Sequence, residues 1–172
     1  IKPRHPWQKE RIRSEILLVG KYGLRNKREI WIARTLLGDF RRRAREILSL
    51  PPSDKEREEK RLANRLQRIG LVPENASLDD VLNLSLSNIL ERRLQTLVYK
   101  IGLAKSIHQA RQLIVHGHIA IIGGVAKSPG RIVKREEEQQ ITYAPNSPFA
   151  NRKPFAMEEE KTPQEQKKSS TR

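Results

Sequence analysis

The side chains of this sequence that are best suited to chemistry include a dense set of cations and hydrogen-bond donors between residues 91 and 133. Guanidinium, ammonium, imidazole and amide groups bind phosphate oxygens and base edges, which is the chemistry of nucleic-acid recognition. No acid/base or nucleophile pattern accompanies them, so the stretch predicts nucleic-acid binding rather than catalysis. These candidate side chains are Arg92, Arg93, Arg111, Gln112, His116, His118, Lys127 and Arg131.

Two helices are expected to position these groups. Ser87 can cap the first helix, whose apolar residues recur at helical spacing until Gly102 ends it. Ser106 opens the second helix, Gln109 completes a capping-box spacing, and Gly117 ends it. The second helix divides into an inward face of Ile107, Ala110, Leu113 and Ile114 and an outward face of Arg111, Gln112 and Val115.

A small antiparallel sheet is expected after the helices. Residues 119–122 form a strand that turns at Gly123-Gly124, a two-residue hairpin signal. Weak strands follow at 132–133 and 140–143, and the acidic residues 136–138 between them are expected to form a solvated turn rather than a catalytic carboxylate cluster.

A long basic helix is expected in the N-terminal half. Asn26 can cap it, Glu29 stands at capping-box spacing, and the helix runs to about Leu48. Gly20 is expected to end the helix before it. The inward stripe is Ile30, Ala33, Leu37, Phe40, Ala44 and Ile47. The cations assigned to nucleic-acid binding are Arg25, Lys27, Arg28, Arg34, Arg41, Arg42, Arg43 and Arg45.

Two further helices are expected before residue 88. Pro51-Pro52 breaks the long helix, and Ser53 with Glu56 has the spacing of a capping box that opens the next one. Gly70 ends that helix. Ser77 can cap a short helix after it.

The charge distribution indicates a polyanionic partner. The chain of 172 residues has 35 Lys and Arg against 20 Asp and Glu, a net charge of +15. Residues 1–50 hold 14 cations against 5 acids and residues 91–157 hold 11 against 4, whereas residues 51–90 hold 6 against 7. Two basic segments that flank a near-neutral one favour nucleic-acid binding by two separate parts of the chain.

The same composition argues against other classes of protein. There is no cysteine, so disulfides and thiolate zinc sites are impossible. His116 and His118 have only His5 and His108 as histidine partners, so no metal site and no cofactor are expected. No apolar run approaches the roughly 20 residues needed to cross a bilayer, and no membrane partner is expected.

Residues 110–119, ARQLIVHGHI, together with Ser106 and the Gly123-Gly124 turn, resemble the RNA-binding module of the S-four family. That module also occurs in RNA enzymes. Residues 19–48, VGKYGLRNKREIWIARTLLGDFRRRAREIL, resemble the archaeal and eukaryotic-type ribosomal members of the family. The resemblance covers about residues 4–150 and includes the order of the two parts.

The resemblance implies a structural constituent of the small ribosomal subunit in the cytoplasm, without enzymatic activity. Such a protein binds the five-prime domain of small-subunit ribosomal RNA, nucleates assembly of the subunit body and contacts neighbouring ribosomal proteins. It lies near the tunnel through which messenger RNA enters, which implies messenger RNA as a further partner and an influence on decoding accuracy. Matching motif positions place Arg92 and Arg93 on the module's first helix, and Ser106, Arg111, Gln112, His116 and His118 along the RNA-facing side of the second.

The sequence departs from the family pattern in three places. The cysteine zinc site of many bacterial members is absent. Gly123-Gly124 stands where the family usually has Asn-Gly, and residues 136–138 replace a usual Gly-Asp.

The expected fold is α+β. A basic helical N-terminal lobe spans 1–88, an S-four-type module of two helices and a small antiparallel sheet spans 89–145, and an extended tail spans 146–172. Three alternatives remain open: a free RNA-binding module, an appendage of an RNA-modifying enzyme, and a DNA-binding helix-turn-helix regulator. The enzyme would need a catalytic domain, and the regulator would need a dimer surface.

Overall fold

The computed structural model describes residues 3–5, 7–73 and 77–150. Within them the chain is mainly helical with one small sheet, which confirms the α+β class. The elements are α1 Lys9–Tyr22, α2 Lys27–Leu48, α3 Pro52–Ile69, α4 Leu78–Asn83, α5 Leu86–Glu91, α6 Leu94–Lys100, α7 Ile107–Val115, β1 Ile119–Ile121, β2 Gly124–Val125, α8 Arg135–Glu138 and β3 Ile141–Tyr143.

The N-terminal helices follow the apolar pattern. Asn26 caps α2 by accepting a hydrogen bond from the Glu29 N–H, and the six residues of the expected stripe are all buried. Helix α1 continues past Gly20, and the turn that ends it is at Gly23, which has a left-handed φ of 56°. Nothing lies within 4 Å of a Cβ added at Gly20, so neither a turn nor a close contact requires glycine at this position.

The start of α3 differs from the expected capping box. Pro51 is the N-cap residue and Pro52 the first helical residue, so Ser53 lies inside the first turn and caps nothing. Proline is favoured at this position because its fixed φ suits a helix and its missing N–H is not needed there. The predicted cap at Ser77 is confirmed, and Asp80 completes a capping box with it.

The expected first helix of the second half is broken into α5 and α6 at Arg92 and Arg93, and Ser87 does not cap it. The break has a tertiary cause. Arg93 pairs with Ile132 as an isolated β-bridge, and the Leu94 N–H donates to the Arg131 carbonyl at 2.8 Å. The extended segment before α8 therefore takes hydrogen bonds that a continuous helix would have kept internal.

Helix α7 has the expected bounds. The Ser106 hydroxyl accepts from the Gln109 N–H, and Gly117 follows the helix with a φ of 76°. The N–H groups of Gly117 and His118 donate to the Ile114 and Leu113 carbonyls, which completes a Schellman motif.

The sheet has the order β2-β1-β3, and both pairings are antiparallel. The expected turn at Gly123-Gly124 is wrong by one residue. Ile121 pairs with Gly124, so the turn residues are Ile122 and Gly123, with φ values of 52° and 73°. Two positive φ values are the geometry of a type I′ turn. Ile122 is poorly suited to this turn because a β-branched side chain disfavours a positive φ.

Replacing Ile122 by Asn is expected to raise the free energy of unfolding by about 1 kcal/mol, because Asn tolerates the left-handed region that costs other residues that much. Ile122 is 62% exposed, so little burial is lost. Ile122→Val, which is also β-branched, is the matched control and is expected to change little. Urea unfolding of the three proteins checks this, and equal stability of the Asn and Val variants would contradict it.

The buried residues of the described part of the chain form two hydrophobic clusters. One contains buried residues from Tyr22 to Leu90, and the other contains buried residues from Leu94 to Ile141. Phe149 packs against the second cluster, so the chain still contacts the module after residue 145. The remainder of the expected tail, 151–172, lies outside the described residues.

Candidate nucleic-acid interface

Arg92 and Arg93 point into the protein on opposite sides of the α5–α6 break. Arg93 is 6% exposed and its Nη2 donates to the Glu29 carboxylate. Arg92 Nη1 donates to Glu138 Oε2 at 2.7 Å, and its Nη2 donates to the Val133 carbonyl at 3.2 Å. Both guanidinium groups are therefore engaged within the protein, although the sequence predicts them as nucleic-acid contacts. That of Arg93 joins the module to the lobe through Glu29, whereas that of Arg92 binds residues within the module.

Arg111 is also directed inward, towards the same carboxylate. Its Nη2 donates to Glu29 Oε1 at 2.7 Å, and its Nη1 donates to Gln95 Oε1 at 3.1 Å. The Gln95 amide in turn donates to the Gly23 carbonyl at 2.9 Å and is fully buried. We call these residues (Glu29, Arg93, Gln95, Arg111 and Gly23) the Glu29 cluster. The outward placement expected for Arg111 is wrong.

This role of Glu29 is not predictable from its sequence position, which indicates only a capping box. Burial by itself raises the pKa of Glu29, but the hydrogen bond from Arg111 and the charge and hydrogen bond of Arg93 outweigh it, so the pKa lies below its ordinary value. The carboxylate is thus charged at neutral pH and neutralises two arginines that nucleic acid was expected to bind.

Stability is expected to fall in acid through this carboxylate. The folded-state pKa of Glu29 lies below the ordinary 4.5. The ionised carboxylate therefore contributes its full stabilisation above about pH 4.5, and this stabilisation is lost as the pH falls through the folded-state pKa. The difference in unfolding free energy between wild type and Glu29→Gln should therefore shrink as pH drops from about 6 to about 3. Urea unfolding across this range checks the trend, and a difference that grows in acid would contradict it.

The acidic residues before β3 form helix α8 instead of a solvated turn. Glu137 is buried and accepts from Arg131 Nη2 at 2.9 Å, while Glu138 binds Arg92. Arg131 keeps 44% of its side chain exposed. These carboxylates therefore balance arginines of the module and form part of its frame.

The cations of α2 divide into exposed and engaged groups. Arg41 is half-buried and its Nη2 donates to the Leu84 carbonyl at 2.7 Å. Arg42 is exposed but pairs with Asp39 at 3.3 Å. Apart from the half-buried Lys27, the remaining predicted cations of this half are exposed: Arg25, Arg28, Arg34, Arg43 and Arg45.

The outer side of α7 offers polar groups to solvent. Ser106, Gln112 and His116 are exposed, and Lys127 is exposed beyond the hairpin. His118 is half-buried, with its ring edge-on to Phe149 at 5.1 Å and its Nδ1 at 3.2 Å from the Ser147 hydroxyl. His116 stacks on His118 with ring centres 6.1 Å apart. Of the two histidines, His116 has the more open ring.

The turn between α1 and α2 lies against the start of α7. A Cβ at Gly23 would stand 2.7 Å from Ile107 Cγ2 and 2.9 Å from the Gln95 amide nitrogen. Because this approach leaves no room for a side chain, Gly23 brings the basic loop beside the first turn of α7. The two groups form one candidate surface, which we call the cationic surface: Arg25, Lys27, Arg28, Arg34, Ser106, Gln112 and His116.

The described residues contain neither a metal-binding group of side chains nor a membrane-spanning helix. Within 3–5, 7–73 and 77–150, no three histidine or acidic side chains are grouped in a way that could hold a metal ion. In the same residues, none of the helices has the length and apolar character required to cross a membrane.

Two family models together match most of the chain. Residues 2–91 match the model described as "Ribosomal protein S4/S9 N-terminal domain", and residues 92–138 match the "S4 domain". The first match covers the helical lobe, and the second begins at the α5–α6 break.

Curated relatives match over nearly the whole length. The protein named small ribosomal subunit protein uS4 from Hyperthermus butylicus is 60% identical over 151 residues, which are 88% of this chain and 86% of the relative. The protein of the same name from Ignicoccus hospitalis is 62% identical over 147 residues, 86% of this chain and 89% of the relative. The protein of the same name from Sulfurisphaera tokodaii is 53% identical over 163 residues, which are 94% of this chain and 92% of the relative.

These matches decide between the open alternatives. The relatives are ribosomal proteins along both halves, so the prediction that the chain is not an enzyme is confirmed, and the module is not an appendage of an RNA-modifying enzyme. Because the relatives match both the helical lobe and the module, the free-module and regulator alternatives are also excluded. The chain belongs to the uS4 family of ribosomal proteins.

Proposed function

We propose that this protein is a structural constituent of the small ribosomal subunit, in the cytoplasm, and that it binds small-subunit ribosomal RNA directly through the cationic surface. The observation that carries the proposal is the close approach of Gly23 to Ile107, which sets the basic loop of the lobe beside the first turn of the module's second helix. The net charge of +15 supplies the attraction to RNA.

The exposed and engaged groups have different roles in this proposal. Arg25, Arg28 and Arg34 are free to contact phosphates, which gives affinity without selecting a sequence. Arg92, Arg93 and Arg111 position the two parts of the surface instead of touching RNA. This division replaces the expected role of Arg111 as an RNA-facing residue.

A surface fixed in this way fits a rigid RNA junction. Because the Glu29 cluster holds the lobe and the module in one arrangement, both parts engage RNA without a further ordering cost. Such a protein can bind before other components are present, which supports a role in nucleating the subunit body on the five-prime domain. Neighbouring ribosomal proteins, messenger RNA near its entrance tunnel and an influence on decoding accuracy complete the proposal by family analogy.

Selectivity for the RNA is expected to come from Gln112 and His116, whose exposed side chains can hydrogen-bond to base edges or sugar hydroxyls. Gln112→Ala with His116→Ala should reduce the preference for small-subunit RNA over an unrelated RNA of equal length by roughly tenfold. Competition binding of the purified full chain measures that preference. Arg43→Gln with Arg45→Gln, which lie farther along α2, should weaken binding to both RNAs alike. Equal loss of preference in both double variants would refute this assignment.

A further inference from the structure

A second polar site lies on the other side of the α5–α6 break, between α3 and α8. It is an open cleft of about 490 Å³, within the size range of small-ligand sites. Its lining residues are Asn64, Gln67, Arg68, Arg135, Glu136 and Gln139. None of these was assigned to RNA binding by the sequence, and the cleft is separate from the cationic surface.

Several polar groups in the cleft are available to a ligand. In the part of the chain that the structure describes, the side chains of Asn64, Gln67, Arg68 and Gln139 have no hydrogen-bond partner, and three of the four are exposed. The cleft therefore presents amide donors and acceptors, the Arg68 guanidinium and one carboxylate, that of Glu136, beside an apolar surface of similar extent. Such a lining suits a flat group that has a polar edge and an apolar face.

Arg92 lies behind the cleft, between its two walls. Its Nη1 bonds Glu138 of α8 at 2.7 Å, and its guanidinium carbon would lie 3.0 Å from a Cβ at Gly70, directly after α3. The guanidinium thus holds α8 by a hydrogen bond and packs against the turn that ends α3. This contact supports the cleft, so a ligand has less of it to order.

We propose that this cleft binds one unpaired guanine base of the small-subunit RNA. Guanine alone among the four bases offers the O6 and N7 acceptor pair to a guanidinium and also the N1–H and N2–H donors to a carboxylate. A phosphate could bind a guanidinium but would leave the Glu136 carboxylate without a partner, whereas guanine supplies a partner to both. The base must be unpaired, because side chains cannot read the deep major groove of a paired A-form helix. This proposal rests on the proposed function, since the base belongs to the RNA bound at the cationic surface.

Kethoxal modification, which reports on guanine N1 and N2, tests the proposal in the complex of the full chain with naked archaeal small-subunit RNA. Wild type should protect an unpaired guanine that becomes reactive again with Glu136→Gln and with Arg68→Gln, while all other protections persist. Arg57→Gln removes the same charge from α3 outside the cleft and is the matched control, which should leave that guanine protected.

A change in the RNA completes the test. Replacing the identified guanine by adenine should weaken binding to wild type roughly fivefold or more, and should add no further loss to the Glu136→Gln variant. If the protein binds the RNA tightly but no guanine changes reactivity between wild type and the cleft variants, the cleft proposal is overturned and the proposed function stands. If the protein does not bind the RNA at all, the proposed function fails first.

Discussion

Replacing Glu29 by Gln is expected to lower the free energy of unfolding by about 3 kcal/mol, since removing one partner of a buried ion pair leaves the other charge uncompensated. Arg93 is 6% exposed and cannot turn to solvent without disrupting the α5–α6 break. Arg111 loses its 2.7 Å bond to the same carboxylate. Urea or thermal unfolding measures the loss.

The control is Glu46→Gln on the same helix. Glu46 lies 3.9 Å from Arg42 in a pair whose side chains are 65% and 64% exposed, so its removal should cost about 0.5 kcal/mol or less. A comparable loss of stability in the two variants would show that Arg93 is not held by Glu29. Adding Arg93→Met to Glu29→Gln should recover part of the stability, because the uncompensated charge is then gone.

Replacing Arg25, Lys27, Arg28 and Arg34 together by Gln is expected to weaken binding to small-subunit RNA about a thousandfold near 0.1 M salt. Each lost phosphate contact removes the release of its condensed counterions. The slope of log affinity against log salt should become less steep by about three. Filter binding or fluorescence anisotropy at several salt concentrations measures both quantities.

The matched variant removes the same charge from α3. Lys55, Arg57, Lys60 and Arg61 belong to the near-neutral segment, and two of them already pair with Glu56 and Glu58. Their joint replacement by Gln should change affinity far less. If both quadruple variants lost affinity equally, general charge rather than the cationic surface would govern binding.

The local features of the fold could be predicted from the sequence. The inward stripe of α2, the Asn26, Ser77 and Ser106 caps and the Gly117 terminus each depend on residues within a few positions of one another. Such features are encoded by periodicity and capping chemistry, which act over one or two helical turns.

The partners of the arginines could not be predicted in the same way. Arg93 and Arg111 bind Glu29 across 64 and 82 residues of sequence. A sequence shows that a cation is present but not which distant carboxylate will neutralise it. For this reason the sequence predicts the engaged arginines at the RNA surface, whereas arginines of α2 and the loop before it are exposed and stay candidates for RNA binding.

The break at Arg92 and the hairpin turn were missed for a related reason. Helical spacing continues through both arginines, but the β-bridge from Arg93 to Ile132 and the bond from the Leu94 N–H to the Arg131 carbonyl end α5 there. At the hairpin, the pairing of Ile121 with both Gly124 and Ile141 fixes the register and moves the turn to Ile122 and Gly123. Non-local pairing thus overrode a local signal in each case.

This chain is expected to bind small-subunit ribosomal RNA by itself, with its lobe and module already arranged. Binding of the purified full chain to the naked RNA transcript, without other ribosomal proteins and in competition with an unrelated RNA of equal length, tests this. We expect selective, salt-sensitive binding with protections in the five-prime domain. Binding that shows no preference for this RNA, or that requires other ribosomal proteins to be present first, would contradict it.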